Sequence, residues 1–495
     1  MRLTGLASGL DVDSMVKEMM KARRATAEKL FQKRTTLEWQ QENYRELSTK
    51  IVDFRNNKLA AYSMSTAINA KTAEISGNKD ALTLSGVGST AAGTLSVTVN
   101  QVAEAAYTVF TFDPDNNNGT VVNPTTSLKL NPDLGFAVDG SGNGSLTVNG
   151  QTIAYKATDT IADLAAKINA NKDAKATATY NEATGQFSIA NKETGSGTVS
   201  ITGFSPRFDK VEYSGKTAKA TVNGVAYEQN SNRFSVSGID FTVKQASGAG
   251  GATTLTTVTD TNKIIDTIKS FITDYNNLIG QINTELGEKR YRTYSPLTDE
   301  QKEAMSDKQV ELWENRAKSG LLRNDSILSN LASNLRMSTT AEYATQFSIS
   351  SIGIETGTWD SKGKLVLKDE AKLRAAIEAD PQKVVDLFTK PKASKITSPN
   401  EAGVGIFRKL EQYTLEALKE FSTKAGTSTV STDLNGDFLE NSLISGQIRD
   451  IKRRENDLAS RLADMENRYY KQFAAMEEAI NKFNQQASAF SSFGR

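Results

Sequence analysis

Asp113, Asp115 and Asn117 stand at alternate positions, the spacing of the oxygen ligands that open a calcium loop. Such a loop needs glycine at its sixth position for the sharp turn and a bidentate glutamate at its twelfth. The chain has Asn118 and Pro124 there, which speaks against calcium. Asp433, Asn435 and Asp437 fail in the same way and read as turn chemistry, in which short polar side chains hold their own backbone. Asn118-Gly-Thr120, Asn143-Gly-Ser145 and Asn324-Asp-Ser326 match the glycosylation pattern, which is common by chance in a chain rich in Ser and Thr. Gly86, Gly88 and Gly93 lack phosphate-loop spacing, and no carboxylate pair stands out from the solvated background. The chain has no cysteine and no histidine. That removes disulfides, thiolate nucleophiles, imidazole bases and nearly every zinc or copper site. The expectation is a protein with no enzymatic activity, no cofactor and no metal.

The chain must therefore act through its surfaces. At 495 residues it should fold as several domains, and a net charge of +1 argues against coating nucleic acid. No apolar run is long enough for membrane insertion, and MRLTGLASGLDVDSM has no secretory signal pattern. A cytoplasmic protein, or one exported without a cleaved signal, is expected. The absence of cysteine suits export in an unfolded state.

The strongest pattern is a pair of apolar strips at opposite ends. On one alternating 4,3 register lie Ile444, Ile448, Ile451, Leu458, Leu462, Met465, Tyr469, Met476, Ala479, Phe483 and Phe490, broken by Glu455, Gln472 and Gln486. Near the other end Val12, Val16, Met19, Leu30, Leu37, Tyr44, Leu47, Ile51 and Phe54 follow a similar rule, broken at Arg23, Thr26, Lys33 and Gln40. Such seams keep one face toward a partner helix, and a helix of this kind draws its stability from that packing. Asp11 and Ser14 are start signals for the first helix. The seven basic residues between Lys17 and Arg34 read as a solvated face. Val16, Met19, Leu30, Leu37, Ile448, Ile451, Leu458, Leu462, Met465, Tyr469, Met476 and Phe483 are the candidate contact residues.

Between Ile75 and Thr259 the chain turns to Ser, Thr, Asn and Val and holds more than half of its 34 glycines. Alternation at Leu95, Val97 and Val99, at Leu146 and Val148, and at Phe234 and Val236 predicts strands. Asn149-Gly150 and Asn223-Gly224 are hairpin turns, since both central positions need positive φ. One helix interrupts, with Ile161, Leu164, Ala165 and Ile168 on one face. The stretch from Asp113 to Pro132 reads as loop-rich. After Thr259 a broad apolar face from Ile264 to Leu286 predicts a long helix capped at Gly287. Thr298 with Gln301 and Ser306 with Gln309 form capping boxes, and another helix should start near Asn324 to Ser326. A tight turn at Trp359 to Gly363, a strand at Lys364 to Leu367, and a helix from Asp369 that stops ahead of Pro381 follow. Gly426 to Gly436 reads as a linker.

This order is nested: helix at both ends, mixed structure within, β structure at the centre. The fold class is α+β and multidomain, with terminal helices pairing as a coiled coil, a helix-rich domain, and two nested β-rich domains inserted between them. The expected division is 1–42 pairing with 432–495 as coiled coil; 43–70 plus 260–431 as the discontinuous helix-rich domain; 71–107 plus 205–259 as the discontinuous β-rich head; and 108–204 as an inserted outer β-rich domain.

Over essentially its whole length the chain resembles the flagellar filament cap family, hook-associated protein 2. Ala7-Ser8-Gly9-Leu10-Asp11 is similar to the family's opening signature, and Gly93 to Ala105 resembles a strand segment of it. Thr158 to Asn171 is similar to a module shared with flagellins. Pro296 to Asp325, PLTDEQKEAMSDKQVELWENRAKSGLLRND, is the most specific match, and ENRYYKQFAAMEEAINKFNQQ also looks like the family. Thr108 to Phe204 is the least family-like part. The resemblance implies a non-enzymatic cap at the distal tip of the bacterial flagellum. There a ring-shaped homo-oligomer, a pentamer, retains exported flagellin and promotes its folding and polymerisation. It further implies legs that dock on flagellin through the terminal helices, an export chaperone, and passage to the extracellular flagellum tip by the flagellar type III route. Two other readings stand beside it: a hook–filament junction protein, against which Pro296 to Asp325 speaks, and an adhesin whose β modules bind mucin or host glycans.

Overall fold

The computed structural model describes residues 11–111, 130, 135–181, 184–203 and 209–493. The Asp113 to Asn117 cluster, the Asn118 glycosylation pattern, most of the loop-rich stretch, Ala7 to Leu10 and the Phe490 side chain lie outside the described residues. The chain divides into two compact units, one of residues 69–260 and one of residues 1–68 with 261–495, so the first is inserted into the second.

In the inserted unit, the first strand, Lys71–Gly77, pairs antiparallel with the last, Thr253–Thr259. Asp260 N–H donates to Ala70 C=O at 2.9 Å, which holds entry and exit side by side. These two strands belong to a five-stranded sheet continued by Thr94–Gln101, Ala218–Val222 and Val225–Gln229. A three-stranded sheet of Arg233–Val236, Ile239–Val243 and Leu82–Val87 supplies the rest of the same core. Alternation does the sorting: Leu95, Val97, Val99, Phe234 and Val236 all point inward. Phe234 stacks on Phe241 with ring centroids 5.5 Å apart.

A second core is formed by chain that falls, in sequence, between the strands of the first. Its four-stranded sheet runs in the order Asp209–Tyr213, Tyr107–Thr111, Gln186–Asn191, Ala176–Asn181. A three-stranded sheet and the helix Ile161–Ala170 complete it, the helix started by a capping box between Thr160 and Asp163. Ile161, Leu164, Ala165 and Ile168 are buried against Phe110, Tyr155 and Phe187. Both Asn-Gly pairs are hairpin turns as expected, with Asn149 and Asn223 at φ 47° and 48° and a positive-φ glycine after each.

The helical unit is built around the helix Thr261–Gly287, whose buried stripe includes Ile264, Ile268, Phe271, Tyr275 and Ile282. Gly287 is its last residue rather than its cap. Both capping boxes form, at Thr298 and Ser306, and Asp325 starts the helix Ser326–Thr340. The helix Glu370–Ala379 stops ahead of Pro381 as expected, and Pro381 begins a new one, Pro381–Thr389, capped by Asp380, because proline at the first turn sacrifices no intrahelical bond. A helix absent from the sequence reading, Ile406–Ala425, buries Phe407, Leu410, Leu418 and Phe421. Its Phe407 ring sits 4.9 Å from Phe271 and 5.3 Å from Phe388, forming the unit's aromatic centre.

Candidate interface along the paired terminal helices

Val12–Asp53 and Leu443–Phe493 are single helices. Asp11 caps the first through Ser14, accepting from its N–H at 3.0 Å and its hydroxyl at 2.7 Å. The two helices run antiparallel. Tyr470 donates to Asp13 at 2.9 Å, Arg24 meets Glu466 at 3.2 Å, Arg34 meets Glu455 at 2.9 Å, and Gln41 donates to Ser445 at 2.9 Å.

The contact has three zones. At the outer end Val12, Val16 and Met20 are buried under Leu462, Met465, Tyr469, Tyr470 and Phe473. At the inner end Tyr44, Leu47 and Ile51 are buried on the first helix, and Ile444, Ile448 and Ile451 on the second. Between them Leu30, Leu37 and Leu458 are only half-buried, around the ionic group of Arg34, Glu38 and Glu455. Glu455 is thus no gap in the seam: it holds Arg34, with its second carboxylate oxygen buried and unpartnered. Burial opposes the charge on Arg34, and Glu38 and Glu455 more than offset that, so its pKa rises.

Of the twelve candidate residues, Val16, Ile448 and Ile451 are buried, and Leu30, Leu37, Leu458, Leu462, Met465 and Tyr469 are half-buried. Three lie off the contact. Met19 is 45% exposed and Met20 takes its place, while Met476 and Phe483 face outward, Phe483 at 69%. For Met19 the reason is local: the contact runs Val12, Val16, Met20 in successive steps of four, so a 4,3 register leaves it at Met19, whereas Met476 and Phe483 lie past Tyr470, which already meets Asp13 at the start of the first helix. Phe473 and Ile480, off that register, are half-buried instead.

Sequence reading also missed the anchor of the inner end. Asp325 starts a helix by accepting from Ile327 and Leu328 N–H, each at 3.1 Å. Its other oxygen accepts from the Tyr44 hydroxyl at 2.5 Å and from Lys424 at 2.6 Å. One buried carboxylate therefore ties the N-terminal helix to Ile406–Ala425 and Ser326–Thr340. Burial raises the Asp325 pKa, but Lys424, Tyr44 and the backbone donors outweigh it, and the net direction is down. Burial, with help from Asp325, pushes the Tyr44 phenol well above its ordinary value. The stretch after Gly426 folds back on the same helix: Arg45 donates to Leu434 C=O at 2.6 Å and lies 3.8 Å over the Phe438 ring. Within that stretch Asp433 accepts from Asn435 N–H at 2.8 Å, which is turn chemistry.

A family model described as Flagellar hook-associated protein 2 C-terminus matches residues 215–485, and the N-terminus model of the same description matches residues 8–106. Residues 107–214, which hold most of the second β core, fall between the two. The chain is 28% identical over 548 residues to Flagellar hook-associated protein 2 of Halalkalibacterium halodurans, spanning all of this chain and 99% of that one. Against the protein of the same name from Thermotoga maritima it is 26% identical over 373 residues, 70% of this chain and 54% of that one. Among solved structures, the flagellar cap protein FliD D1-D2-D3 domains from Escherichia coli are 20% identical with a TM-score of 0.47, covering 82% of this chain and 99% of that one.

Proposed function

The chain belongs to the flagellar hook-associated protein 2 family, and on that premise we propose how its parts carry out the work of a filament cap. It acts at the distal tip of the bacterial flagellum, in an oligomer, on flagellin. The oligomer is a five-membered ring that retains exported flagellin and promotes its folding and polymerisation. The work is mechanical and involves no catalysis. The chain leaves the cell by the flagellar type III route, escorted by a chaperone until export.

The family match carries the cap role. For the moving part, the carrying observation is the graded packing of the terminal helices: buried at both ends, half-buried and ionic between. A cap must release and rebind its filament for every subunit added. A contact that orders on docking weakens binding by roughly 2–5 kcal/mol, which favours release. Leu30, Leu37, Leu458, Leu462, Met465 and Tyr469 are the residues that exchange their partial contacts within the coil for contacts with flagellin. The junction and adhesin readings have no observation of their own in their favour.

The experiment is deletion of the gene in its host. Flagellin monomer in the medium, with hooks but no filaments on the cells, supports the cap role. Filaments of normal length on the deletion strain would overturn it.

A further inference from the structure

The strand Asp209–Tyr213 ends the four-stranded sheet, paired on one side with Tyr107–Thr111 and carrying no strand on its other edge among the described residues. All five of its residues are exposed. An edge of this kind offers its backbone N–H and C=O groups to any strand that matches it.

Its sequence, Asp-Lys-Val-Glu-Tyr, matches itself when read antiparallel. With Val211 opposite Val211 of a second copy, Lys210 of each copy faces Glu212 of the other. Lys210 and Glu212 already form an ion pair within one copy, so the four charges alternate on one face of the joined sheet. A slip of one residue one way places Asp209 opposite Glu212, like against like, and the other way sets Lys210 against Tyr213 and Val211 against Glu212, so either slip loses both charge pairs. The opposite face carries Val211 and Tyr213, each 46% exposed, beside Asp209, and Tyr213 stacks on Tyr107 at 4.3 Å. Another edge strand with mostly exposed residues, Val225–Gln229, sets Ala226 against Glu228 in the same construction and gains no charge pair.

We propose that a second copy of this chain docks on this edge, antiparallel, to give one continuous sheet across a two-fold axis. A ring closes through unlike patches, whereas this contact uses one patch twice and saturates at two copies. It therefore joins two rings or two free chains and is separate from ring closure.

The chain has no cysteine, so Val211→Cys in the full-length protein places a single thiol on the axis. Under mild oxidation it should give a covalent dimer at least tenfold faster than Val225→Cys on the other edge, an estimate of roughly that size following from cross-strand proximity. In sedimentation, Lys210→Glu and Glu212→Lys should each weaken the dimer by about tenfold, since each creates two like-charge contacts, and the double exchange should restore it. Equal cross-linking at the two edges, or no restoration in the double exchange, would overturn the inference. Loss of the dimer with filament growth intact supports a contact apart from the ring; loss of both together overturns that separation.

Discussion

Arg34 and Glu455, 421 residues apart in the chain, meet at 2.9 Å in the middle of the terminal helix pair, each side chain about one-fifth exposed. Apolar packing lies on both sides of this pair, so it divides the coil into an outer and an inner part.

The carboxylates outweigh the cost of burying Arg34, but an apolar pair of similar volume at this place avoids that cost altogether. Replacing both members with apolar residues, Arg34→Met with Glu455→Leu, should leave the coil as stable or more so. Arg34→Met alone takes the cation from Glu455 and leaves Glu38 with only Lys452, 4.0 Å away, and should cost about 2–3 kcal/mol. Thermal melting and amide exchange of the full chain check this. A single variant as stable as the double would show that the pair is not coupled. If release depends on this weak zone, the double variant should also slow filament growth in cells.

Leu458 and Leu462 lie half-buried just outward of that pair. Leu458→Asp with Leu462→Asp places two charges on the contact line and removes the apolar area there, at a cost of several kcal/mol. Filaments should fail to grow, while the circular dichroism of the β structure stays as in the unaltered chain. Filaments of ordinary number and length in this variant would remove the terminal helices from the docking mechanism.

How much of this was legible in the sequence depends on the distance over which each feature acts. The Asp11 cap, both capping boxes and both Asn-Gly turns are decided within four residues, and their residue types suffice. Met19 is off by one position because the contact takes two successive steps of four, Val12 to Val16 to Met20, where an alternating 4,3 register allows one. Ile406–Ala425 was missed although its apolar spacing is helical. It starts at Gly405, which offers no side-chain cap, and so lacks the local start signal that Asp11, Thr298, Ser306 and Asp325 give. Asp325 was legible as a helix start, but its bonds to Tyr44 and Lys424 span 281 and 99 residues, and no local pattern encodes them. Glu455 reads as a break in the seam for the same reason: it is a defect until Arg34 is placed beside it.

Asp325→Asn should destabilise the helical unit by about 2–3 kcal/mol at neutral pH, because asparagine still caps the helix but removes the counter-charge of Lys424. The Asp325 pKa is lowered by folding, so its contribution is fully present above the ordinary carboxylate value of 3.8 and is lost as pH falls through the lower folded value. The gap in melting temperature between the two proteins should therefore hold from neutral pH to about pH 5 and close in stronger acid. A gap that persists unchanged below pH 3 would assign the effect to shape and not to charge.

Lys409 makes the opposite case. It lies on the helix Ile406–Ala425 with 1% of its surface exposed, and burial pushes its pKa down to about 8 despite a small opposing pull from Glu401. An amine depressed in the fold binds its proton more weakly there than in the unfolded chain, whose value is near 10.5. Between those two values the unfolded state carries the extra proton, so stability rises with pH across that window. Below about pH 8 the folded protein carries a buried charge whose cost no longer changes with pH. Lys409→Met keeps the length of the side chain and removes the charge. It should raise stability by about 1–3 kcal/mol at pH 7, and this gain should shrink steadily between pH 8 and 10. Denaturant unfolding of the full chain at pH 7 and pH 10 measures both. A gain of the same size at the two pH values would mean that the methionine improves packing alone. A loss at pH 7 would mean that the ammonium has a partner that stabilises it, and the lysine would then be a structural ion and not a tolerated burden.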